Sequence, residues 1–250
     1  MSDKAEQGRL YERVAQDLSA KIAGGAYAIG QRLPSERDLA QAYSVSRPTV
    51  REAIIALELD GLVEVRIGSG VYVAALVPRG GAAGVTDIGP FELLEARRAI
   101  EGEACALAAA RITDDELSQL ARMIAEMQAA ETDLVKAEEA DRRFHLLIAA
   151  CTQNSAMVAA VTMLWDARAR SPQTQLLSVK AHAAGVGPRL DEHTAILEAL
   201  ASRTPETARQ AMRSHLTRVL ESLLAATEVQ EVEQARARVA AERERYRSAV

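Results

Sequence analysis

Aromatic residues make up only 3% of this 250-residue chain, with one tryptophan and two phenylalanines. That scarcity argues against a stacking surface for single-stranded nucleic acid, which needs aromatic faces. Cysteine is nearly missing too. Cys105 and Cys151 lack a CxxC spacing and sit inside helical apolar patterns, so they read as reduced core thiols. No apolar run approaches the ~20 residues of a membrane span. The opening MSDKAEQGRLYERV has no signal-peptide core. The expectation is a cytoplasmic protein with no membrane partner. Excess positive charge is also lacking. The net charge is −5, and residues 1–78 hold nine Lys+Arg against ten Asp+Glu. A DNA-binding role must therefore rest on where particular arginines stand, not on bulk charge.

What is present is alanine, leucine and helical periodicity, which favour packed helices over sheets. Val14, Leu18 and Ile22 recur at helical spacing before Gly24-Gly25. Ser35 can cap a helix over Glu36–Tyr43, with Glu36 and Asp38 in its first turn. Ser44-Val45 makes a short turn. Ser46 then caps a second helix that carries Pro48 in its first turn and runs to about Leu59. Asp60-Gly61 stops it, Leu62–Arg66 alternates as a strand, Gly68-Ser69-Gly70 turns, and Val71–Val73 returns. Two helices across a tight turn followed by a hairpin form a winged helix-turn-helix, which sets one helix in a major groove.

The predicted organisation has four parts. Residues 1–77 form the winged domain, three helices plus a β-hairpin. Residues 78–90, rich in Gly and Pro, form a linker. Residues 91–226 form an all-α bundle, with helices over 91–111, 113–130, 134–151, 155–170, 188–201 and 205–226. Thr113 and Glu116 make a capping box. Residues 171–187 carry little pattern and read as a loop or short helix. Residues 227–250 read as a charged helical tail. The fold class is mainly α.

Arg47 and Arg51, four apart at the start of the second helix, can face base edges or phosphates, with Arg37 near the same turn. Ser46 and Thr49 are hydroxyls suited to phosphate, and Gly68 lets the wing backbone approach the minor groove. Singly, each arginine reads first as a solvated surface charge; the ordered set is far more specific.

In the second half, Asp141 and His145 are four apart and share a helical face. His193 and His215 lie on two later helices, and a bundle can aim all four at one interior point. Three imidazoles and a carboxylate suit a divalent metal with positions left open. Taken one by one, each histidine reads as an ordinary core or surface residue.

Residues 10–73 resemble the winged-helix domain of the GntR transcription regulators through LPSERDLA (33–40), SVSRPTVREAI (44–54), LELDGLVEV (57–65) and GSGVYV (68–73). The resemblance implies contacts to double-stranded operator DNA from Arg37, Arg47, Thr49, Arg51 and Gly68. The second half resembles the FCD effector domain of the FadR-type subfamily, through EADRRFHLLI, LDEHTAIL, MRSHL and LLEARRAIEGEACALAAA. That implies a metal held by Asp141, His145, His193 and His215, zinc foremost, with manganese, nickel or iron as alternatives. It also implies a pocket for an acidic effector at Arg97, supported by Glu101, with Arg143 and Asn154 as further candidates. A guanidinium suits a carboxylate through paired hydrogen bonds. A looser likeness points to regulators of hexuronate and related sugar-acid catabolism. The expected protein is a homodimeric repressor released from its operator by a small carboxylate. The alternative is a metal-dependent hydrolase fused to a DNA module, with Glu101 as its one candidate base.

Overall fold

The computed structural model describes residues 10–66, 69–78, 88–130, 133–183 and 190–225. Among them the chain is helical apart from one hairpin, and it divides into two compact units. Gly68 and the tail after residue 225 lie outside the described residues, as does most of the expected linker.

The first unit holds the described residues up to Phe91, the helix from Pro172, and the last helical residues from Leu223. Helix α1 (Leu10–Ala23) buries Tyr11, Val14, Leu18 and Ile22, one face at the spacing the sequence showed. Helix α2 (Glu36–Tyr43) is capped by Ser35, whose hydroxyl accepts from the Asp38 amide. Helix α3 (Arg47–Leu59) is capped the same way by Ser46 from Thr49. Ser44 takes a left-handed φ of 55° in the turn between them. Leu18, Ile22, Leu39, Val50, Ile54, Leu57 and Leu62 close the core. Strands β1 (Val63–Arg66) and β2 (Gly70–Val73) pair antiparallel, with Val63 opposite Val73 and Arg66 opposite Gly70. The stretch before α2 joins this wing through a bridge between Arg32 and Tyr72.

One stretch left open between a loop and a short helix takes the helical form. The weakly patterned stretch after Ser171 is a twelve-residue helix, α8 (Pro172–Ala183), packed on α3 within the winged unit. It buries Leu177 and Ala181, and Lys180 bonds Glu58 of α3 at 2.5 Å.

The second unit is all helical. It contains α4 (Pro90–Ala109, from Glu92 onward), α5 (Asp114–Ala129), α6 (Leu134–Cys151), α7 (Ser155–Arg170), α9 (Leu190–Ala201) and α10, a helix over residues 205–225 that leaves the unit after residue 222. The Thr113–Glu116 capping box forms in both directions. Helix α6 packs against α5 and α7, and α5 also meets α9. Phe144, Ile148, Val161, Trp165, Ile196 and Leu200 fill the interior. No helix of the described residues is long and apolar enough to cross a membrane.

Candidate functional site

Four side chains from three helices converge inside the second unit. Asp141 and His145 stand one turn apart on α6, His193 comes from α9, and His215 from α10. One ligand atom from each lies within 4.8 Å of the other three. The histidines are all buried, while Asp141 keeps 19% of its side chain exposed. Asp141 Oδ1 lies 2.8 Å from His193 Nε2 and 3.4 Å from His145 Nε2. The imidazole rings stand 4.6 Å (His193–His215) and 5.4 Å (His145–His215) apart.

This donor set fits a divalent metal. Three imidazole nitrogens and one carboxylate are ligands that zinc and its neighbours accept. His145 Nε2 is buried with no well-formed hydrogen bond, its near acceptor Asp141 Oδ1 standing 3.4 Å away, although the ring's other nitrogen is well satisfied. A buried polar atom left open in this way calls for a partner.

Two glutamates hold the outer sides of these rings. Glu101 Oε2 lies 2.5 Å from His145 Nδ1, and Glu192 Oε2 lies 2.9 Å from His215 Nδ1. Each carboxylate favours a proton on Nδ1 and so turns the Nε2 lone pair inward. Burial and charge divide the two histidines. Burial alone would lower His145, but the carboxylates of Glu101 and Asp141 outweigh it and raise its pKa. His215 is pulled down to about 4, mainly by burial, against the lesser pull of Glu192. Burial works to raise Asp141, yet the neighbouring His145 and His193 rings hold its carboxyl well below the ordinary range.

Arg97 lies beside this cluster on α4. It is 3% exposed, its Nε donates to Glu101 Oε1 at 2.6 Å, and its guanidinium carbon sits 4.0 Å from the Trp165 ring centre. The Trp165 ring is in turn 5.2 Å from that of His145. Arg97 and Glu101 thus stand together with the four converging residues. Arg143 does not join them at close range: it is half-exposed and ion-paired with Glu126. Asn154 caps α7, with Oδ1 accepting from the Ala156 and Met157 amides. That role was legible in its position just before a helix start.

In the first unit, Arg37 is 85% exposed and Arg47 53% exposed. Ser46 and Thr49 share a 2.7 Å hydroxyl contact at the start of α3. Arg51 differs from the expectation of an open Arg47–Arg51 face. Its side chain is only 5% exposed: Nε donates to Glu36 Oε1 at 2.8 Å, a second nitrogen bonds Glu36 Oε2, and a third reaches the Leu224 carbonyl at 3.0 Å. The four-residue spacing does place both arginines on one side of α3, but Glu36 of α2 draws Arg51 inward. Sequence reasoning also missed Glu52, buried in α3, which accepts from the Phe91 amide at 2.9 Å and so caps the start of α4. Glu192 was missed as well. Its only local signal is that it precedes His193, whereas its partner His215 is 23 residues away.

Comparison with known proteins agrees with this architecture. Residues 10–73 match the model of bacterial regulatory proteins of the gntR family, and residues 92–218 match the FCD domain. The chain is 39% identical over 216 residues to an Exu regulon transcriptional regulator of Escherichia coli, covering 84% of this chain and 83% of that one. It is 34% identical to a Uxu operon regulator of Haemophilus influenzae, covering 89% and 85%. It is also 34% identical to a Uxu operon transcriptional regulator of Escherichia coli, covering 93% of each chain. A winged reading head joined to an FCD helical domain, in both pattern and sequence, makes this chain a DNA-binding transcription regulator of the GntR family, of the FadR type, and not an enzyme.

Proposed function

We propose that the protein is a homodimeric repressor of hexuronate or related sugar-acid catabolism, released from its operator by a small carboxylate bound at a metal-containing pocket. The observation that carries this reading is the convergence of Asp141, His145, His193 and His215 ligand atoms within 4.8 Å of one another, beside the buried cation Arg97. The Exu and Uxu names of the relatives agree with the likeness to hexuronate regulators.

A bound divalent ion, zinc foremost, would offer coordination positions to an effector's carboxylate or hydroxyl oxygens. Arg97 would supply paired hydrogen bonds to the carboxylate. Glu101 and Glu192 orient the two histidines. On the DNA side, the exposed Arg37 and Arg47 would reach phosphates or base edges, with Ser46 and Thr49 at the α3 N-terminus and Gly68 on the wing. Arg51 could join them only by leaving Glu36. Two copies related by a two-fold axis would read the halves of a palindromic site. Effector then shifts DNA affinity to the extent that it binds one arrangement of the dimer better than the other.

The test uses purified full-length protein and a duplex that it selects from a random-sequence pool. Metal analysis should find about one divalent ion per chain, lost in His193→Ala. D-galacturonate or D-glucuronate should release the wild-type protein from the duplex. Protein without metal, or a duplex affinity indifferent to a panel of sugar acids, refutes the reading.

A further inference from the structure

Glu101 touches both halves of the proposed pocket at once. Oε2 meets Nδ1 of His145 at 2.5 Å, Oε1 accepts from Arg97 Nε at 2.6 Å, and a second Arg97 nitrogen stands 3.4 Å from Oε2. The glutamate is 2% exposed, so water does not dilute either contact. Glu192 offers the contrast. It holds His215 at 2.9 Å, while its other oxygen lies 3.6 Å from the half-exposed Arg218 and touches nothing assigned to the effector.

We propose that Glu101 is a positioning residue linking the two ligands: a single buried carboxylate divided between His145, which faces the metal, and Arg97, which faces the effector. The inference rests on the metal-and-carboxylate reading above.

While the pocket lacks an effector, the Arg97 guanidinium neutralises much of the Glu101 charge. An incoming carboxylate competes for that guanidinium, which can swing across the Trp165 face on which it already rests. Glu101 then accepts more strongly from the Nδ1–H of His145, and the opposite nitrogen becomes a better metal donor. Effector therefore tightens metal binding and, by reciprocity, metal tightens effector binding by the same factor. Glu101 also acts as the effector's competitor for Arg97. Its removal should consequently push the two affinities in opposite directions.

The experiment measures zinc affinity by competition with a chromophoric chelator, and D-galacturonate affinity by calorimetry at saturating zinc. In Glu101→Gln, zinc should bind ~10–100-fold more weakly, the usual effect of losing an outer-shell partner. D-galacturonate should bind several-fold more tightly, and its tightening of zinc should shrink to the part that its own coordination to the ion supplies. In Glu192→Gln, zinc should weaken without any tightening of D-galacturonate. A residue with a merely structural role would weaken both ligands. If Glu101→Gln fails to fold by circular dichroism, Glu101→Asp carries the same test, since it keeps the charge but is one methylene too short to span both partners. Unchanged zinc affinity, or D-galacturonate weakened together with zinc, overturns the inference. A wild-type protein that takes up no zinc instead overturns the metal reading on which it rests.

Discussion

Replacing Arg51 with alanine separates two roles that the sequence alone runs together. If the side chain contacts a base, its loss should weaken operator binding by ~1–3 kcal/mol and leave the fold alone. The structure assigns it an interior task. It makes two bonds to Glu36 and one to the Leu224 carbonyl at 5% exposure. Truncating one partner of a buried ion pair costs ~3–5 kcal/mol, because the other charge is stranded. Glu36 keeps 22% of its side chain exposed and can turn to water. The lower end, about 3 kcal/mol, is therefore expected. Tyr11, Tyr27, Tyr43 and Tyr72 belong to the winged unit, and the single tryptophan, Trp165, to the other. Urea unfolding followed by tyrosine emission should thus shift to lower denaturant in Arg51→Ala, while tryptophan emission moves less. A double-mutant cycle with Glu36→Gln should show a coupling above ~1 kcal/mol. Arg51→Ala protein that unfolds within ~0.5 kcal/mol of wild type, yet binds operator tenfold more weakly, refutes the buried pair and returns Arg51 to the DNA face.

Thr113→Ala removes a capping box formed in both directions and should cost ~1 kcal/mol, read as an earlier tryptophan-detected unfolding transition. Gly70→Ala adds a Cβ at a φ of 118° that would run into the Arg32 side chain. It should destabilise the wing by ~1–3 kcal/mol, with loss of hydrogen-exchange protection at Leu33 and Val73, whose amides bond across that region. The third concerns acid. In metal-free protein the unfolded chain takes up a proton at His215 as pH falls through 6.5, but the folded chain resists until about 4. The His215 contribution to stability is therefore lost on acidification across that window. His145, raised by its carboxylates, runs the other way: its contribution is present in acid and lost as pH rises. Melting temperatures of metal-free His215→Gln from pH 7 to 4.5 should fall less steeply than wild type, and an equal slope would refute the assignment.

Local rules made most of the fold legible. Caps at Ser35, Ser46 and Thr113 placed helix starts, because each hydroxyl acts on an amide three residues away. The Asp141–His145 pair was legible for the same reason, being one helical turn. What escaped was set by distance along the chain. The pairing of Glu36 with Arg51 spans 15 residues, and that of Glu192 with His215 spans 23. Neither leaves a periodic trace. Helix α8 was obscured because its described buried residues are Gln173, Leu177 and Ala181, a stripe with one large apolar side chain that leaves little periodic signal.

The same long-range pairs change what the charge count means. Residues 1–78 look slightly acidic, which by itself counts against DNA. Yet Glu52 is buried at 4% exposure and serves the α4 amide, Glu58 is held by Lys180 of α8, and Glu36 is neutralised by the buried Arg51. With these set aside, the remaining charge of the winged region tips slightly positive, with Arg37 and Arg47 exposed close to the helix-turn-helix turn. Composition weighs every carboxylate equally, but one that is buried and paired contributes little field to a phosphate outside. The acidic balance of the region therefore turns on a few paired or buried carboxylates, while Asp17, Asp38 and Glu64 stay about half exposed. Setting the paired and buried ones aside moves the balance by two charges, from one negative to one positive, so the surface that meets DNA is less hostile to phosphate than the total implies.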